Sequence, residues 1–106
     1  MPSFTVRCLF RWPSRSESNV ASYEERIMLW TAETADDAIS MAEAEAKAYA
    51  AGNDVEFLNL CQSYAMPDEV AASGIEVFSL LRNSALKPDD YLRRYFITGD
   101  ERELET

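Results

Sequence analysis

The chain reads as an α+β domain with element order ββαββα, a four-stranded, largely antiparallel sheet and two helices. Three stretches carry that expectation. "SFTVRCLFRW", residues 3–12, alternates apolar and polar side chains with the period of a half-buried strand. "TAETADDAISMAEAEAKAYAAG", residues 31–52, repeats small and apolar residues at helical spacing. "IEVFSLLR", residues 75–82, is apolar at both parities, as a strand buried on both faces would be.

Each element follows from local chemistry. In the first strand Phe4, Val6, Cys8, Phe10 and Trp12 share one face, and Thr5, Arg7, Leu9 and Arg11 share the other. "PSRSESNVAS" opens on Pro13, is polar, and reads as a hairpin loop. "YEERIMLWT" is the second strand. Thr34 is a natural N-cap for the helix, with Asp36 and Asp37 in the first turn where the macrodipole favours anions. Ile39, Ala42, Ala46 and Tyr49 fall on one face of that helix, and Gly52 with Asn53 supplies its stop. The face is mostly alanine, so the helix axis can lie close to a sheet. "DVEFLNLCQSYAM" is a third strand and "PDEVAASG" a turn. "IEVFSLLR" is the fourth strand and is expected to be central. Pro88 suits the first position of a second helix, with Asp89 and Asp90 behind it, an apolar stripe of Tyr91, Leu92, Tyr95 and Phe96, and Gly99 at its end.

This order is a circular permutation of the ferredoxin-like βαββαβ arrangement, which implies the sheet order 3-4-2-1 with both helices on one face. The whole of 1–106 forms one domain, and the charged tail 98–106 is expected to fray.

Composition narrows function. The chain is 47% hydrophobic and 27% charged, an ordinary globular balance that can bury a core without metals or bridges. No apolar run reaches bilayer-spanning length, and "MPSFTVRCLF" lacks the features of a secretory signal, so the expected location is cytoplasmic. A net charge of −9 argues against nucleic acid, which needs clustered Lys and Arg. The acidity is concentrated: residues 31–56 hold Glu33, Asp36, Asp37, Glu43, Glu45, Asp54 and Glu56 against Lys47 alone. That stretch is a solvated helix face or an acidic docking face for a basic partner. The chain has no histidine and no C-x-x-C, which speaks against zinc and against Ser-His or Cys-His nucleophiles. Three glycines, at 52, 74 and 99, do not make a phosphate loop. Cys8 and Cys61 read as buried, reduced thiols, ahead of a disulfide or redox pair. No cofactor is expected, and the Asp pairs at 36–37 and 89–90 are explained by helix capping before any metal.

The adjacent carboxylates Glu24 and Glu25 raise the question of acid/base chemistry. Neighbours on a strand point to opposite faces, so they cannot share a proton as a catalytic dyad does. Pairing the hairpin about its loop midpoint sets Arg11 against Glu24 and places Glu25 on the apolar face. There Glu25 either reaches past the sheet end, pairs with an arginine such as Arg82 or Arg93, or lines a pocket as a buried carboxylate. The same register leaves Leu9, Met28, Trp30, Phe78 and Leu80 on an open outer face, a patch large enough to bind something.

"YEERIMLWTAETADDAISMAEAEAKAY" followed by "IEVFSLLRNS…KPDDYLRRYF" resembles a small family of bacterial proteins carried only under a domain-of-unknown-function label. The likeness covers residues 4 to 97 and rests on the "YEERI" strand, the Ala/Glu-rich helix and the "EVFS" strand. It implies no activity or cofactor, and it points to Tyr23, Glu24, Glu25, Arg26 and Glu76 as signature residues. The expected function is a non-enzymatic domain, a homodimer through the open sheet face. The alternatives are an acidic inhibitor or immunity-type protein that binds a basic partner, and a small-ligand binder with Glu25 and Glu76 in one cleft. No membrane or nucleic-acid partner is expected.

Overall fold

β1 (Ser3–Trp12) and β2 (Ala21–Thr31) form the hairpin at the centre of the sheet. The structure, a computed structural model, describes residues 1–13, 20–70 and 73–96. Most of the expected hairpin loop, together with Gly99 and the tail 98–106, lies outside the described residues. Helix α1 (Ala35–Asn53) begins at Thr34, whose hydroxyl accepts the Asp37 N–H at 3.1 Å. It runs through Gly52 and Asn53 and stops at Asp54, which takes the left-handed conformation (φ 54°) and donates its N–H to the Ala50 carbonyl. β3 (Glu56–Ala65) and β4 (Ile75–Ser84) follow. Helix α2 (Pro88–Tyr91) opens on proline as expected and continues as a wider, π-type turn over Leu92–Phe96. No helix among the described residues is long and apolar enough to cross a membrane.

The α+β class and the single antiparallel sheet are as the sequence implies, but the strand order is β3-β1-β2-β4 rather than 3-4-2-1. Two adjacencies, β1 with β2 and β2 with β4, are as expected. The third is not: β3 pairs with β1, from Phe4↔Ala65 to Arg11↔Glu56. α1 therefore carries the chain across β1, and the β3–β4 connection returns across the open end of the hairpin. That return is pinned. The Met66 N–H reaches the Ser3 carbonyl at 2.8 Å, the Val70 N–H reaches the Ser3 hydroxyl at 2.7 Å, and the Gly74 N–H reaches the Leu29 carbonyl at 2.7 Å. Gly74 takes a positive φ of 70°, and a Cβ there would stand 3.6 Å from the Trp30 ring.

The hairpin register differs by one residue from the expected one. Arg11 faces Tyr23, Phe10 faces Glu24 and Leu9 faces Glu25. A one-residue slip exchanges the two faces of β2. The main core lies beneath α1, where Ala35, Ala38, Ala42, Ala46 and Ala50 meet Phe4, Val6, Cys8, Phe10, Met28 and Trp30. The alanine face lets the large strand side chains fill the space between helix and sheet. A second, smaller cluster lies on the opposite face, where Leu9, Ala21, Tyr23 and Tyr91 pack with Leu58, Leu60, Leu86, Leu92 and Tyr95. The helices thus sit on opposite faces, because the stripe of α2 finds its apolar partners around Leu9 and Tyr23.

Candidate functional site

Two polar networks, one on each face, organise the residues singled out by sequence. On the α1 face, Glu24 is 6% exposed and its hydrogen-bond partners among the described residues are uncharged donors. Its Oε1 accepts the Tyr49 hydroxyl at 2.7 Å and the Trp12 Nε1–H at 3.1 Å, and its Oε2 accepts the Ser79 hydroxyl at 2.9 Å. Two residues along, Arg26 donates from Nη1 to both Glu45 oxygens (2.6 and 2.7 Å) and from Nε to Glu76 (2.6 Å). Its guanidinium also lies 3.9 Å from the centre of the Tyr49 ring. β2 supplies both charges at i and i+2, so they share a face, and α1 meets them with Glu45 and Tyr49, one turn apart.

On the other face, Glu25 bridges two strands. Its Oε1 receives Arg7 Nη1 at 3.4 Å and its Oε2 receives Arg82 Nη1 at 3.0 Å. Arg82 Nη1 also donates to the Tyr91 hydroxyl at 3.3 Å, and Arg7 Nη2 donates to Gln62 Oε1. Tyr91 stacks on Tyr23 with ring centres 3.8 Å apart, and the Tyr23 hydroxyl donates to the Leu86 carbonyl at 2.6 Å. The arginine partner expected for Glu25 is therefore Arg82, joined by Arg7.

The expected cleft containing both Glu25 and Glu76 is not formed, because these carboxylates lie on opposite faces of the sheet. The expected open patch is also corrected. Met28 (5% exposed) and Trp30 (9%) are core residues under α1, and Leu9 (0%) is covered by the Tyr91 cluster. Phe78 remains 52% exposed and Leu80 is half-buried. Arg11 does not pair with Glu24; its Nη1 lies 4.0 Å from Glu56 Oε1.

The sequence reading expected Phe78 and Leu80 to be open but missed the edge position of β4. It lies at the edge of the sheet, paired on one side to β2 from Ala21↔Ser84 to Leu29↔Ile75, with Val77 as the extra residue of a bulge. Ile75 (49%), Val77 (52%), Phe78 and Leu81 (58%) are all exposed, and neither apolar cluster draws on this strand. The strand's two-faced apolar pattern signalled burial, but nothing within the described chain supplies it.

Comparison with family models, curated proteins and solved structures found no match.

The tyrosines that hold these networks titrate late. Burial, followed by the hydrogen bond to Glu24, pushes the Tyr49 hydroxyl above its ordinary value near 10. Burial likewise raises Tyr23 and Tyr91, against a smaller opposing pull from Arg11 and Arg82 respectively. In each case the folded state keeps the proton that the unfolded chain releases near pH 10. Their contribution is fully present below about pH 10 and is lost as pH rises beyond it. The urea midpoint is expected to stay level between about pH 7 and 9 and to fall above about pH 10. Tyr49→Phe should flatten the alkaline slope, which equilibrium unfolding at stepped pH measures.

Proposed function

We propose that the chain is a non-enzymatic, cytoplasmic interaction domain that works as a homodimer joined edge to edge through β4. The observation that carries this reading is the apolar strand left outside both cores. An edge with free backbone N–H and C=O groups and exposed apolar side chains is a template for another strand. Glu76 and Arg82 make β4 neutral, so the net charge of −9 is not focused at this edge. A two-fold axis perpendicular to the sheet keeps each face on its own side, so residues of equal parity must oppose one another. The regular stretch beyond the bulge runs from Phe78 to Ser84. Centring it on the axis sets Leu81 against its own copy, Leu80 against Arg82, Ser79 against Asn83 and Phe78 against Ser84.

Support for the non-enzymatic part comes from the carboxylates. Glu24 and Glu25 point to opposite faces, and both are committed to donors that hold the fold together.

Sedimentation equilibrium tests the proposal. The wild type is expected to be a dimer at micromolar concentration. Leu81→Asp would bring two carboxylates together at the axis and weaken the dimer by about a hundredfold or more, with the circular dichroism spectrum unchanged. A wild-type monomer at high concentration, or a Leu81→Asp variant that stays dimeric, overturns the proposal.

A further inference from the structure

We propose that Cys8 and Cys61 form a modification site, a dithiol that closes into an intramolecular cross-strand disulfide by exchange with a small-molecule disulfide. The two residues are direct partners across the β1–β3 ladder, and their Sγ atoms are 2.7 Å apart. Opposed residues of an antiparallel pair have Cα atoms about 4.5 or 5.5 Å apart, within the span of about 4.4–6.8 Å that a disulfide bridges. Both thiols are free. They differ in access: Cys8 is 3% exposed, beneath α1, whereas Cys61 is half-buried on the edge strand β3.

That difference sets the order of events. Contact with Cys61, together with burial, holds the Cys8 thiol well above its ordinary value, so Cys8 keeps its proton at neutral pH. Cys61, as thiolate, attacks one sulfur of the incoming disulfide. A mixed disulfide forms on Cys61, and one small thiolate leaves and takes up the proton that Cys61 released. Cys8 Sγ then attacks Cys61 Sγ, the mixed bond breaks, and the second small thiolate departs and takes up the Cys8 proton. The protein loses two electrons and two protons, and one small disulfide becomes two thiols. The bridge would close the loop that contains the hairpin and α1. β4 lies on the far edge of the sheet, so the reaction is independent of edge-to-edge pairing.

The test treats the native protein with excess oxidised glutathione, followed by intact mass and peptide mapping after alkylation. The wild type is expected to lose two hydrogens and to yield a linked Cys8–Cys61 peptide within a single chain, with Tm raised by about 10 °C or more. Cys8→Ser, or Cys8→Ala if serine disturbs the core, should accumulate a glutathione adduct on Cys61 because the resolving thiol is gone. Three results on the wild type overturn the proposal: adducts on both cysteines, disulfide bonds between chains, or no reaction while the urea-unfolded chain oxidises fully. The wild-type measurement decides the matter whether or not a variant folds.

Discussion

Replacing Trp30 with aspartate is expected to unfold the chain. Trp30 is 9% exposed, faces Phe4 across the hairpin and lies against Gly74 at the turn into β4. Removing the indole costs about 3–5 kcal/mol, and an unpaired buried carboxylate adds several more. A domain of this kind has only about 5–15 kcal/mol in total. Far-UV circular dichroism at neutral pH should show loss of structure at room temperature. The contrast with Leu81→Asp is informative, since both insert the same charge on a strand. The first places it in the α1 core and the second on a 58%-exposed edge, so only the first should unfold the monomer.

Glu25→Ala is the second large effect. It removes the carboxylate between Arg7 and Arg82 and leaves two guanidinium groups facing each other across β2. Breaking a buried pair by deleting one partner costs about 3–5 kcal/mol. The side chain of Arg82 is 36% exposed and can turn to water, which brings the expected loss to about 2–3 kcal/mol. Glu25→Gln should cost less, because an amide oxygen still accepts one arginine. Urea unfolding of both variants gives the comparison, and a Glu25→Ala midpoint equal to wild type would show that the bridge contributes nothing.

The legible parts of the fold were those set by local chemistry. The span of β1, the Thr34 cap, the alanine face of α1 and Pro88 at the start of α2 all follow from short-range patterns. The hairpin register was not legible, because "IMLW" is apolar at both parities and hydrophobicity alone cannot choose between Ile27 with Leu29 and Met28 with Trp30. The choice is made by distant partners. Glu24 and Arg26 belong on the α1 face because Tyr49, Ser79, Glu45 and Glu76 meet them there. The position of β3 was equally hidden, since its pairing with β1 depends on where α1 sets the chain down. The opposite directions of Glu24 and Glu25 were legible from strand alternation, and so was an arginine partner for Glu25. The edge position of β4 was not. Its pattern records that the strand wants burial on both faces without recording what provides it.

Hydrogen exchange of the β4 amides at two protein concentrations is the most direct measurement of edge-to-edge pairing. If two copies join through Phe78–Ser84, the amides of this stretch that point away from β2 gain protection as concentration rises. The edge amides of β3 and the interior of the sheet should not change. Protection along β4 that is independent of concentration, or a gain that appears at β3 instead, would contradict the account.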